Sequence, residues 1–390
     1  MTTITRRSAL TLLTVAPAVL KSFASPPQTS ASTLFLGTYT DPVGAMPGAK
    51  GVYSSLWNAA TGEISSIELA AETPNPTFLA RSPVRPNLLF AVNELSGKQD
   101  GTVSAFARKP GQTALASLQS LNIVNSGGSG PCHLALDHTG RALFVANYGG
   151  GSVSSFKVST EGLSEAVSVV RFTGSSIDPG RQTTPHTHCV LLSPDNRFLL
   201  VNDLGLDRIM VFEVDPAAAN LIPAATPYFT AKPGAGPRHS LFHPNGRWVY
   251  SVNELNSTID LLDWDSTHGV LSFKETISSL PANARTQKNA PAELAIDRAG
   301  KFLYVSNRFH NSIGVFAIAG KTGALTPVED IPCGGKIPRD FVLDPTEQWL
   351  LVANQDSRNI VVFKRNSATG KLTATGKSYT LDATVCLLFA

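Results

Sequence analysis

The hydrophobic and polar positions of this chain fall into one recurring phrase: a short apolar strand ending in Asn, one variable residue, a brief polar loop and a second apolar strand. It occurs at Phe90-Ala-Val-Asn93-Glu94, Phe144-Val-Ala-Asn147-Tyr148, Leu200-Val-Asn202-Asp203, Tyr250-Ser-Val-Asn253-Glu254, Tyr304-Val-Ser-Asn307-Arg308 and Leu351-Val-Ala-Asn354-Gln355. Successive Asn residues are 54, 55, 51, 54 and 47 positions apart, which is the size of a propeller blade of four short strands. A further strand and a tight turn precede each Asn, as in Arg238-His-Ser-Leu-Phe-His-Pro-Asn-Gly-Arg247, and two more strands follow it. Short apolar runs punctuated by Asn-Gly, Asp-Asn and Thr-Gly turns specify an all-β chain. No window longer than about 12 residues keeps a 3.6-residue apolar period, so helix should be nearly absent.

The ends of the chain complete the count. Thr33-Leu-Phe-Leu-Gly-Thr-Tyr39 corresponds to a second strand whose first strand is missing upstream, while Ala383-Thr-Val-Cys-Leu-Leu-Phe389 has the apolar pattern of a first strand. Pairing the C-terminal strand with Leu34-Phe-Leu36 gives a seven-bladed β-propeller of four-stranded antiparallel blades over residues 33–390. Such closure removes the exposed edges of an open ring. A closed ring is expected to be a monomer.

Before this domain, Thr2–Ala24 has Arg6-Arg7, an apolar run from Ala9 to Leu20, and small residues at the −3 and −1 positions of a cleavage site after Ala24. Residues 1–24 read as an export signal, and the apolar run is too short to span a bilayer. The signal is similar to a twin-arginine leader except that Ala9 stands at the usually aromatic position. The protein is therefore expected to be periplasmic or secreted, with no membrane contact once the signal is removed.

Composition narrows the partner. With 42% hydrophobic and 16% charged residues the chain is globular, and a formal net charge of +3 over 390 residues argues against a nucleic-acid or membrane surface. Cys132, Cys189, Cys333 and Cys386 form no C-x-x-C pair and read as buried small residues. A small-molecule partner is expected.

In a four-stranded blade the first strand lies innermost, so the residue that opens strand one and the residue that follows the strand-two Asn project at the same mouth of the ring. The openers are Thr77, Cys132, His188, Arg238, Ala292 and Arg339; the followers are Glu94, Tyr148, Asp203, Glu254, Arg308 and Gln355. A constant Asn suits a residue that satisfies loop backbone groups, whereas a follower that differs in every blade suits one shared, asymmetric site. His186, His188, Arg238, Glu254, Arg308 and Arg339 together describe a cationic rim with one embedded carboxylate, fitted to an anionic substrate with a polarisable carbonyl. His186 and His188 lack a third ligand at metal spacing, the Gly-rich runs at 127–130 and 149–151 precede no helix, and no G-x-S-x-G motif occurs. Neither metal nor cofactor is expected.

Leu36-Gly-Thr-Tyr39, Asn147-Tyr-Gly-Gly-Gly-Ser152, Pro185-His-Thr-His188, Gly236-Pro-Arg-His239, Val252-Asn-Glu254 and Ser306-Asn-Arg308 resemble the propeller lactonase family, which includes 6-phosphogluconolactonases and a fungal carboxymuconate-lactonising enzyme. The resemblance covers essentially the whole mature chain. It implies a metal-free lactonase whose catalytic group is His188, Arg238, Glu254 and Arg308, with His186 as the neighbouring candidate; the repeat positions add Arg339, Tyr148, Asp203, Glu94 and Gln355, which with His186 are the substrate-binding candidates. Hydrolysis of a sugar lactone, 6-phosphogluconolactone or a related aldonolactone, is the expected reaction. An export signal sets the enzyme apart from cytoplasmic phosphogluconolactone, so an unphosphorylated lactone is a second expectation. Lactonising cycloisomerisation of a muconate-type dicarboxylic acid and a non-catalytic binding propeller are the alternatives. Either Glu254 or His188 would be the base: arginines lower a carboxyl pKa, whereas an unperturbed His near 6.5 suits neutral pH.

Overall fold

The second strand of each repeat is the most apolar element of the chain, and its burial explains the ring. Leu88–Asn93, Ala142–Asn147, Trp248–Asn253, Phe302–Asn307 and Trp349–Asn354 are buried at all six positions. A strand that is buried on both faces needs a sheet packed on each side, which only a stack of blades supplies. The fourth strands, such as Leu372–Thr380, are instead largely exposed outer edges. The computed structural model describes residues 32–42, 47–97, 100–108 and 117–390; the export segment 1–24 lies outside the described residues.

Seven antiparallel sheets stand around the axis. Their innermost strands are Thr384–Phe389 (blade 1), Leu79–Arg81 (blade 2), Pro131–Leu136 (blade 3), Thr187–Leu192 (blade 4), Pro237–Phe242 (blade 5), Pro291–Ile296 (blade 6) and Pro338–Leu343 (blade 7). Blades 1 and 3 count five strands because the outer strand is interrupted: Glu63–Ile64 and Glu68–Glu72 both pair with Gly51–Asn58, and Gly162–Leu163 and Ser168–Arg171 both pair with Ser152–Ser159. The only helical element among the described residues is a single turn at Ala282–Ala284.

Neighbouring blades are latched by one device. The turn between the third and fourth strands of a blade reaches the second strand of the preceding blade: Tyr250 donates its hydroxyl to the Gly323 carbonyl at 2.7 Å, Tyr304 to Gly370 at 2.8 Å, and the Trp349 indole to Ala59 at 2.8 Å. Gly370, at φ 74°, carries its backbone so close to Phe302 that a Cβ would lie 2.4 Å from the ring, so the latch requires glycine there. The repeated Asn does a second job. Asn93, Asn147, Asn307 and Asn354 each donate to a carbonyl of the connection entering their own blade, on Pro74, Ser126, Ser279 and Cys333 respectively. Asn202 and Asn253 use the hydroxyls of Ser240 and Thr258 instead.

The ring closes as the apolar pattern predicts, with Leu34 opposite Phe389, Phe35 opposite Leu388 and Leu36 opposite Leu387. Val385, Cys386 and Leu387 are buried in this closure. At about 1.5–3 kcal/mol per large apolar side chain, their loss with the strand's hydrogen bonds approaches the 5–15 kcal/mol margin of an ordinary domain. Removal of residues 383–390 should therefore lower the melting temperature by roughly 10 °C or more, or abolish cooperative unfolding in calorimetry. A truncated protein that melts like the full chain would contradict closure.

Candidate functional site

In every blade but the second, the innermost strand begins with a break in register at the same mouth, and the residue it frees turns into the channel. Pro131 pairs with Asn147 and His133 with Ala146, leaving Cys132 unpaired; the same break isolates His188 in blade 4, Arg238 in blade 5 and Arg339 in blade 7. Blade 1 isolates Val385 between Thr384 and Cys386. In blade 6 the irregularity spans Ala292 and Glu293, and it is Glu293, not the expected Ala292, that lines the channel.

Above these bulges the followers form a cavity of about 270 Å³ lined by Tyr39, Glu94, Cys132, Tyr148, Arg181, His188, Glu254, Arg308 and Arg339. Glu254 is its centre. Its Oε1 takes the Arg181 guanidinium at 2.7 Å, and its Oε2 lies 2.6 Å from Arg308 Nη2 and 3.2 Å from Arg238 Nε. The last two nitrogens are at ion-pair distance without hydrogen-bond alignment, so their attraction is mainly coulombic and their N–H donors are not committed to the carboxylate. Arg308 is anchored behind by Nε donating to the Ala290 carbonyl at 2.8 Å, and Arg238 by Nη1 donating to the Ala292 carbonyl at 2.6 Å. The opposite wall is a second carboxylate cluster: Glu94 accepts from the Tyr39 hydroxyl at 2.9 Å and from Thr77 at 2.6 Å, and Arg339 donates to the Tyr39 oxygen at 3.1 Å.

Burial and the arginines set the protonation states. Burial alone would raise the Glu254 carboxyl, but Arg308, Arg238 and Arg181 outweigh it and hold it at about 2. His188 is 6% exposed, and burial together with Arg238, His239, Arg339 and Arg308 pushes its pKa well below 6.5. The premise of an unperturbed histidine is thus corrected: burial first, and then the four cationic or imidazole neighbours that face it, disfavour the charged form of His188 and keep it neutral in the physiological range. Burial and the neighbouring Arg238 and Arg339 bring Arg308 down to about 10, against the pull of Glu254.

Three of the sequence candidates lie away from the cavity. Asp203 is fully buried and accepts from the His186 and Leu206 amides at 2.9 Å each, so it folds its own loop. Gln355 turns to Asp356 at 3.2 Å. His186 stands behind Tyr148, its ring stacked on the phenol at 4.5 Å and its Nδ1 3.0 Å from the Tyr148 carbonyl oxygen, where it orients that side chain. The Gly-rich runs serve the same residue: Tyr148 donates its amide to Gly130, and Gly150 to Ser129, at 2.8 Å each.

Sequence reasoning missed several members. Tyr39 follows Thr38, which takes the place of the Asn in the blade shared between the termini; counting it as the seventh follower would have found it. Arg181 sits in the longest inter-blade connection, between Arg171 and Thr187, outside the repeat. The rim also carries more than one carboxylate: Glu94 lines the cavity, and below it Glu293, 2.9 Å from His239 Nδ1, and Asp340 line a narrow passage with Cys132 and Arg238. All four cysteines are free and buried; burial pushes the Cys132 and Cys189 thiols up. Among the described residues no group of three or more His, Cys, Asp or Glu is arranged to hold a metal ion.

A donor-rich cavity with a neutral imidazole is built to bind a carbonyl on which negative charge develops. Residues 33–389 match the family described as Lactonase, 7-bladed beta-propeller. The chain belongs to this family, and it is a lactonase, a hydrolase of cyclic esters. It is 36% identical over 343 residues to the 6-phosphogluconolactonase of Formosa agariphila, covering 87% of this chain and 94% of the relative. It is 31% identical over 358 residues to the 6-phosphogluconolactonase of Bacillus subtilis, covering 91% and 97%. The solved periplasmic gluconolactonase of Pseudomonas aeruginosa superposes with a TM-score of 0.84 at 31% identity, over 93% of this chain and 99% of that one.

The depressed Glu254 carboxyl ties stability to pH. Its folded value of about 2 lies below the unfolded value of about 4.3, so its contribution, on the order of 3 kcal/mol, is complete above pH 4.3 and lost as pH falls toward 2. Glu254→Gln should lower the melting temperature at pH 7, with the gap to wild type shrinking as pH falls from about 4.3 to 2. A gap independent of pH would exclude Glu254 as the buried counter-ion.

Proposed function

We propose that the protein hydrolyses a sugar lactone, 6-phosphogluconolactone or a related aldonolactone, to the open acid in this cavity, and that it acts as a monomer outside the cytoplasm. The observation that carries the reading is Glu254 Oε2 shared by Arg238 and Arg308, whose donors are held by blade 6 backbone yet not aligned on the carboxylate. The leader-like residues 1–24 support the location, as does the likeness to a periplasmic gluconolactonase.

In the proposed reaction the lactone carbonyl oxygen points at Arg308 and Arg238. Neutral His188 accepts a proton from water as the water oxygen bonds to the carbonyl carbon, and the two guanidiniums hold the oxyanion that forms. Collapse of the tetrahedral intermediate breaks the ring C–O bond, and the imidazolium returns its proton to the departing ring oxygen. Glu254 at about 2 is too weak a base for this step; it holds the arginines in place. The lowered pKa of His188 keeps the imidazole unprotonated at neutral pH but also weakens it as a base, and the oxyanion forming beside it offsets the cost of charging it.

The test is acid release in a pH-stat on 6-phosphogluconolactone and glucono-δ-lactone. Wild type should exceed the spontaneous rate on at least one, and Arg308→Ala should lose about 10²–10³-fold in kcat. No acceleration by wild type on either lactone would overturn the reading. His188→Gln should cost on the order of 10²-fold or more. With the uncharged gluconolactone, kcat/KM should stay level as pH falls through 6.5 and decline only well below it, because the base must be neutral and its pKa is lowered. An acid limb centred at 6.5 or higher would remove His188 from this role.

A further inference from the structure

Of the four arginines at the mouth, Arg181 alone is exposed. Arg238 and Arg308 are fastened to backbone carbonyls and are 3% and 12% exposed, whereas the Arg181 side chain is 44% exposed. Its Nη2 alone is engaged, donating to Glu254 Oε1 at 2.7 Å and to the Tyr148 hydroxyl at 3.1 Å. Its Nε and Nη1 make no hydrogen bond or ion pair among the described residues. The loop that carries it is nevertheless held firmly. The neighbouring Gln182 is fully buried and donates to the Leu204 carbonyl at 2.8 Å, and Ser176 donates to Asp207 at 2.6 Å. A fixed loop therefore presents a half-exposed guanidinium with free donors at the outer end of a cavity whose reactive arginines lie deep.

Charge gives this arrangement a direction. Glu254 has three guanidiniums around it, more positive charge than one carboxylate can offset, and Arg181 is the partner nearest solvent. A lactone whose carbonyl reaches Arg308 leaves the opposite end of its carbon chain at the rim. We infer that Arg181 is a specificity-determining residue that binds an oxyanion at the end of the substrate remote from the lactone carbonyl, so the preferred substrate is an aldonolactone with a second, terminal anionic group. A phosphate monoester and a carboxylate share this chemistry. Either group can accept a charge-assisted hydrogen bond from the Arg181 Nε–H or Nη1–H while Nη2 stays on Glu254 and Tyr148.

Naming a lactone as the carrier of that anion rests on the proposed hydrolysis; the anion site does not. The stable open acids allow the two to be tested apart. Binding of 6-phosphogluconate, glucarate and gluconate to full-length processed protein is measured by titration calorimetry for wild type, Arg181→Ala and Arg181→Lys. Wild type should bind one of the two acids with a terminal anion about 10- to 100-fold tighter than gluconate, and which one identifies the group as phosphate or carboxylate. Arg181→Ala should erase that preference, and Arg181→Lys should keep part of it, since the charge remains while the placement of the donors changes. Equal binding of all three acids by wild type, a uniform loss across them in Arg181→Ala, or no binding by wild type would each overturn the inference. An Arg181-dependent preference in a protein that accelerates neither lactone would leave the anion site standing and sink the hydrolytic reading. Lactone hydrolysis without an Arg181-dependent preference would do the reverse.

Discussion

The pairing of Thr384–Phe389 with Ser32–Thr38 is the contact on which the rest of the molecule depends, because it converts a linear repeat into a ring. A linear stack of such blades would bury its second strands equally well, since each needs only a neighbour on either side. It would not bring seven innermost strands around one axis. Only closure places the bulged residues of blades 3, 4, 5 and 7 across a channel from one another, and only closure supplies Tyr39 and Val385 from the two ends of the chain. The inter-blade latches, each an aromatic donor reaching a turn carbonyl of the next blade, hold that ring to one geometry.

A converging ring imposes an electrostatic problem, and the site is its solution. Arg181, Arg238, Arg308 and Arg339 gather in a space from which water is largely excluded, where like charges repel strongly. Glu254 between three of them and the Tyr39–Glu94 pair beside the fourth reduce that repulsion without cancelling it. Burial first, and the residual positive potential after it, keep His188 neutral and lower Arg308. The uncharged imidazole and the proposed hold on an oxyanion thus both depend on burial combined with an excess of guanidinium over carboxylate.

Beneath this cavity the channel stays polar rather than filling with apolar side chains. Glu293, Asp340, His239 and Cys132 line it together with Arg238, and the His239 ring lies 5.0 Å from that of His133 and 5.1 Å from that of His188. Burial raises the Glu293 carboxyl to about 7 and the Asp340 carboxyl well above its ordinary value, and it lowers His133 and His239 well below theirs, so the charged forms of all four are disfavoured under the arginines. This polar plug supports Arg238 from below.

The sequence by itself determined the blade count, the strand order within each blade and the sharing of blade 1 between the termini, because apolar runs, turn residues and a constant Asn are local signals repeated at one spacing. It also placed His188, Arg238, Glu254, Arg308, Arg339, Glu94 and Tyr148 at one mouth, since position within the repeat decides which face a residue meets. It could not separate these from Asp203 and Gln355, which occupy the same repeat position but turn into their loops, nor choose Glu293 over Ala292, because the direction of a side chain at a bulge depends on the partner strand. Arg181 lay outside the repeat, in a connection whose path is set by Gln182 and Ser176 contacting blade 4. The protonation of His188 was equally beyond reach: an imidazole's pKa depends on its burial and on charges brought to it from other blades, and only the closed ring assembles those.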